Sequence, residues 1–200
     1  MKKVFFPLIS ACLFWRLSAA DLAVAARISE TGVTEDGRQA CVVQAEVKNQ
    51  TASPIEIAML TCSWSDSWIV TPEDAIEIPV WPCDGNVPDH YLFQPGGGYS
   101  FRFSLQARTR LARIEGLGVR LGFLFVKWEA KNPSLLFEPR EELLKRFPII
   151  WSAEVVVPKT TGKLIRCIPE RKILPNQPPE ATPGQRPPAT PSQSSGAPQL

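Results

Sequence analysis

One histidine, His90, is all that 200 residues offer of the side chain whose ordinary titration falls near neutral pH. A Ser-His-Asp or Cys-His site would have to use it. It stands in Pro88-Asp89-His90-Tyr91, at a strand entrance, where an exposed turn residue is the plainer reading than a catalytic base. The five cysteines include no C-x-x-C pair, so a structural zinc site lacks its ligand spacing. Copper-type sites draw on Met and His, and beyond the first 20 residues there is one of each. Asp66 and Asp84-Gly85-Asn86 are too sparse for a calcium loop and read as turn chemistry. Gly96-Gly97-Gly98 lacks the helix and lysine of a phosphate cradle and reads as a hairpin entrance. Charge of one sign is missing too. The net charge is +2 with both signs interspersed, which speaks against nucleic acid as a partner. No internal repeat is visible. These absences predict a protein without catalytic, cofactor-binding or metal-binding residues.

What is present begins with an export signature. Lys2-Lys3 precedes the apolar stretch from Val4 to Trp15, and Ser18-Ala19-Ala20 supplies small residues for cleavage. The expectation is a signal peptide over residues 1–20, a mature start at Asp21 and no transmembrane anchor after cleavage, because the apolar run is too short and Arg16 ends it. A rival reading takes Ile9-Ser10-Ala11-Cys12 as a lipobox with Cys12 acylated, although Cys12 lies early and the apolar run continues past it.

Period two dominates between Asp21 and Cys167, and residues 21–167 read as one domain. Cys41, Val43, Ala45 and Val47 alternate with polar neighbours, and Asn49 to Pro54 is turn chemistry before Ile55, Ile57 and Met59. Ile76, Ile78 and Val80 alternate around Pro79, which places that strand at an edge. Phe101, Phe103 and Leu105 form another face, as do Leu117 to Phe125 and Trp151 to Val157. One helical patch interrupts them: Pro139 to Arg146 has Pro first, acids early and bases late, closed by Pro148, and reads as a solvated helix. The pattern predicts an all-β fold, an immunoglobulin-like antiparallel β-sandwich of 7–8 strands with one short helical insertion; a closed barrel is the alternative. From residue 168 to 200 the chain carries nine of its twenty prolines, and a disordered tail is expected there. The bases Lys159, Lys163, Arg166, Arg171 and Lys172 gather before that tail and read as a solvated linker.

Cys62 and Cys83 are flanked by mirrored tryptophans, in Thr61-Cys62-Ser63-Trp64 and Trp81-Pro82-Cys83. Residues two apart on a strand share a face, so each half can present a sulfur and an indole together. In an exported chain this reads as a disulfide under aromatic rings. It would close a loop of about 20 residues, worth roughly 3 kcal/mol. Four cysteines beyond the signal allow three connectivities; Cys62–Cys83 with Cys41–Cys167 is the preferred set, with Cys41 as a small buried apolar residue the alternative. Trp64, Trp68 and Trp81 could form an exposed aromatic platform, or else cover the disulfide and fill the core.

The cysteine–tryptophan pattern, with Trp68, Asn86, Leu92, Pro95-Gly96, Tyr99, Gly122-Phe123 and Trp151-Ser152, resembles small secreted bacterial Ig-like β-sandwich proteins of unassigned activity. The likeness covers roughly residues 39–157 and departs at 131–147, which looks like an insertion. A weaker resemblance is to a bacterial Ig-like protease-inhibitor family. These resemblances imply fold and export and carry over no catalytic residue. The functional expectation is an exported, non-enzymatic, monomeric module at the cell envelope or outside, whose partner is an envelope or extracellular protein or a glycan. A protease inhibitor, through the stretch from Trp64 to Cys83, and a carbohydrate binder, through Trp64, Trp68 and Trp81, are the alternatives.

Overall fold

The computed structural model describes residues 21–80, 85–129, 132–166 and 169–174. Among them the chain runs β1 (Leu22–Val33), β2 (Gln39–Asn49), β3 (Ile55–Leu60), β4 (Trp68–Thr71), β5 (Ile76–Glu77), β6 (Pro88–Phe93), β7 (Gly98–Ala107) and β8 (Gly118–Leu124). It continues with α1 (Arg140–Arg146), β9 (Ile149–Trp151), β10 (Val155–Val156) and β11 (Glu170–Leu174). The expected signal peptide and Cys12 lie outside the described residues.

All pairing is antiparallel between the named strands, and no sheet closes on itself. One layer has the order β1-β2-β7-β11, with β5 also on β7. Leu22, Val24, Ala26 and Ile28 of β1 alternate toward the core, and a bulge between Ile28 and Glu30 ends that register. The β1–β2 turn is tied by the Arg38 amide on Thr34 Oγ1 at 3.0 Å, and Gly37 takes a φ of 81°, which L side chains resist. Gly98 serves a different need: a Cβ there would lie 1.9 Å from the Val47 carbonyl oxygen, so only glycine lets β7 approach β2.

The opposing layer is built on β8. Its one edge carries β9 and β10, its other carries β4. Past β8 the chain stays extended, and Val126 accepts the Ala58 amide at 2.8 Å while Trp128 donates to Glu56 at 3.2 Å. β3 and β4 are therefore consecutive stretches along the same side of β8, separated by residues 61–67 and their 3-10 turn at Trp64–Ser67. β6 extends this layer by pairing with β3.

The layers meet across an aromatic core. Trp68 and Phe123 from the β8 layer stack against Phe101 and Phe103 of β7, with ring centroids 5.2–6.2 Å apart. Edge-to-face and tilted rings at this spacing add to the area they bury. Asn49, fully buried, donates to Ser53 and Phe93 carbonyls at 2.7 and 2.9 Å and accepts the Thr51 amide at 2.8 Å, so the β2–β3 turn is clamped to β6.

Two outer faces are also covered, and here the structure corrects the sequence reading. The 131–147 stretch, where described, is no solvated excursion: Leu135 and Leu143 pack with Leu124, Val126 and Ala58 in a second cluster outside the β8 layer. Residues 157–166 return across β2, where Ile165 packs on Ala40 and Val42, and Val33 donates its N–H to the Lys163 carbonyl and accepts the Ile165 amide. The folded chain also extends beyond the expected boundary at 168, because Glu170–Leu174 pairs with β7. The expected strand over Ile76–Val80 shrinks to two residues, and the one over Trp151–Val157 splits in two. In the gap, Ser152 Oγ accepts the Leu121 amide at 3.0 Å, a side chain standing in the ladder. Eleven strands result among the described residues, where 7–8 were expected.

Candidate interaction surface

The tryptophans beside Cys62 are core residues. Trp64 is 6% and Trp68 0% exposed, both against Phe101 and Phe103. An exposed platform of Trp64, Trp68 and Trp81 is not formed by the first two, and Trp81 lies outside the described residues. The Trp68 indole N–H is buried without a hydrogen-bond partner, a local cost of about 1–3 kcal/mol. Nearby Asp66 has its carboxyl pushed up by burial, opposed by the Arg140 guanidinium, which donates to the Trp68 carbonyl at 2.6 Å.

Cys62 lies in a short stretch tied to the chain leading into β6. Asn86 Oδ1 accepts the Cys62 and Ser63 amides, each at 3.2 Å. Thr61 donates to the Val87 carbonyl at 3.0 Å and receives the Val87 amide on its hydroxyl at 3.2 Å. Cys83 lies outside the described residues, three positions before Asn86 and within about 10 Å of it along the chain. Cys41 is a free thiol, fully buried in the core with burial raising its pKa from 9.0 to about 12. The expected Cys41–Cys167 link is thus unmade, Cys167 being outside the described residues; the small buried apolar residue is the reading that fits Cys41.

Large apolar side chains stand in water at several places among the described residues, Leu111, Phe137 and Val156 included, and the connection from β5 to β6 holds two of them. Val80 is 88% and Val87 54% exposed, one on each side of residues 81–84. Asn86 and Thr61 pin the descending end of this loop, and β5 on β7 pins the ascending end. Apolar side chains held in solvent on a fixed base are suited to contact, not to packing within the chain.

The half-exposed indoles sit elsewhere. His90 is an exposed residue within β6, not in a turn, and stacks on Trp128 at 5.3 Å. Trp151 carries the Arg120 guanidinium 5.4 Å over its ring. Neither pair was readable as a unit, since their members are 38 and 31 positions apart and come together only through strand pairing. The bases of residues 159–172 do not form a patch either. Lys163 pairs with Glu30 at 3.0 Å, Arg166 with Glu35 at 3.0 Å and Lys172 with Glu170 at 3.3 Å. Arg171 turns inward, donating to the Tyr91 hydroxyl at 2.6 Å with its guanidinium 4.3 Å from that ring.

Among the described residues no three His, Cys, Asp or Glu side chains converge as a metal ion would require, and no helix is long and apolar enough to cross a membrane. Comparison with protein-family models, with curated proteins and with solved structures returns no match.

Proposed function

We propose that this chain is an exported, non-enzymatic β-sandwich of immunoglobulin-like topology that acts as an interaction module at the cell envelope, making contact through the 78–87 loop. The topology is supported by strand order. Strands β1, β2 and β7 lie in one layer, and β6, β3/β4, β8 and β9/β10 follow one another in the other. This order agrees with a Greek-key distribution of A, B, E against C′, C, F, G, with β11 and β5 added on β7. Export is supported by the leader-like first 20 residues, and a Cys62–Cys83 bridge by the anchoring of residues 61–63 to 86–87.

The observation that carries the functional reading is the exposure of Val80 and Val87 on a loop with both ends fixed. A partner that covers them gains apolar burial at little ordering cost, which is how a small contact patch becomes a hot spot. The test is affinity isolation from the native envelope with the mature chain and with a Val80→Asp/Val87→Asp variant. The expected result is one dominant partner whose yield falls at least tenfold with the variant; a partner retained equally by both proteins contradicts the reading.

The held ends of this connection favour a second reading, a protease inhibitor, because inhibition requires a segment whose ends resist rearrangement. A protease panel separates the two: an inhibitor blocks one class at stoichiometric amounts, whereas an envelope module blocks none. With Trp64 and Trp68 in the core, the carbohydrate reading loses two of its three rings.

A further inference from the structure

A cleft of about 390 Å³ opens beside β4, floored by Ile69, Val70, Ile78 and Leu144 and rimmed by Glu73 and Glu141. Its volume is in the range of ligand pockets. What makes it more than a surface hollow is the backbone at its wall. β4 is the outermost member of its sheet and pairs only with β8 among the described residues. On β8, Leu121 directs its N–H to Ser152 Oγ and its C=O to the Ser152 amide, on the side away from β4. Alternation then leaves Arg120 and Gly122 to bond β4, and their register partners are Thr71 and Ile69. The backbone groups of Trp68 and Val70 must therefore point to the free edge.

Trp68 has both of its groups engaged: its N–H goes to the Ser65 carbonyl and its C=O receives Arg140. Val70, whose side chain is buried in the core, turns an N–H and a C=O toward the cleft, and no backbone bond outside the strand ladder involves them among the described residues. One donor–acceptor pair at this spacing is the minimum that a second strand needs to dock in register.

The rim has a charge preference. Of the cations near the cleft, Arg108 lies 3.7 Å from Glu77, which also pairs with Arg38 at 2.8 Å, and Arg140 donates to the Trp68 carbonyl and keeps its charge, one against the two of Glu73 and Glu141. The carboxylates of Glu73 and Glu141 are exposed and make no ion pair among the described residues. An acidic surplus above an apolar floor fits an incoming strand that alternates apolar and basic side chains.

We propose that this cleft binds an extended peptide segment of a partner protein, which adds as a short strand to the free edge of β4. Its backbone bonds Val70, its apolar side chains cover Ile78 on the core side, and the lysines or arginines between them face Glu73 and Glu141. Val80 and Val87 do not line this cleft, and its test does not depend on what they contact.

The probe is a fluorescein-labelled heptapeptide of alternating valine and lysine, titrated into the full mature chain by fluorescence anisotropy. Comparison peptides are the valine–glutamate analogue and the valine–lysine peptide N-methylated at alternate amides. The expected result is a Kd below about 1 mM for valine–lysine, at least tenfold weaker binding for both analogues, and slowed hydrogen exchange at the Val70 amide. Glu73→Gln/Glu141→Gln, two exposed changes that leave the fold intact, should weaken the valine–lysine peptide about tenfold and flatten its salt dependence. The inference is overturned if the N-methylated or glutamate peptide binds equally, or if valine–lysine does not bind. It is also overturned if the Val70 amide is already protected in the free chain, which would mean that the chain's own residues 81–84 or 175–200 fill the edge.

Discussion

At the scale of single residues, Cys41 shows how burial alone sets chemistry. Its thiol sits on the core face of β2 with burial lifting its pKa to about 12, so the thiolate that would react or oxidise is not formed at neutral pH. The linkage to stability follows in sign. The folded chain holds the proton to a higher pH than the unfolded chain, so the full contribution is present below pH 9 and is lost as pH rises from 9 toward 12. Above pH 9 the wild type should therefore lose about 1.4 kcal/mol per pH unit relative to Cys41→Val, read as the difference between urea unfolding free energies at pH 7 and 10. A difference that does not change with pH would mean that Cys41 is not buried in this way.

Asn49 is the second telling residue. Its amide satisfies two carbonyls and one amide of the surrounding backbone. Asn49→Ala removes all three bonds, leaving the Ser53 carbonyl only the Thr51 hydroxyl, and is expected to cost about 2–4 kcal/mol in chemical denaturation. A loss under 0.5 kcal/mol would show that water replaces the side chain freely.

At the scale of elements, what was readable depended on whether polar and apolar side chains alternate in the sequence. β2, β7 and β8 carry that alternation and are found where period two places them, although the polar side of β7 is itself covered. β4 escapes that reading because Trp68, Ile69 and Val70 are all buried, so no alternation survives. β11 escapes for the opposite reason. Glu170, Arg171 and Lys172 resemble linker, yet charges on an outermost strand are how sheets discourage further pairing. Arg171 is what ties this strand to the other layer, through Tyr91. Arg171→Ala should speed hydrogen exchange of the β11 amides several-fold while moving global stability by only about 1 kcal/mol. Unchanged β11 exchange would assign that strand's hold to its ladder alone.

The helical insertion can be weighed in the same way. Leu143 belongs to the second cluster, and Leu143→Ala should cost about 2–3 kcal/mol in a single cooperative transition if that cluster is part of the fold. A separate early transition for the variant would instead make the helix an independently melting cover.

At the scale of the whole molecule, composition and period indicated an all-β, antiparallel chain, while the placement of its tryptophans could not be read from order alone. The same Cys-x-Trp spacing serves a platform or a core, and only the opposing layer, with Phe101 and Phe103 facing Trp64 and Trp68, decides between them. The exposed valines were hidden for a related reason: Val80 continues the alternation of Ile76 and Ile78, so it reads as a strand face until the strand ends at Glu77. Val80 and Val87, flanking residues 81–84, form the proposed contact surface. The most direct measurement places a photo-crosslinking amino acid at Val80 in cells of the native host, with a matched control at Leu111, which is 94% exposed on the β7–β8 connection. The account predicts a discrete envelope-protein adduct from position 80 and none from position 111; no adduct at 80, or the same adducts from both positions, would contradict it.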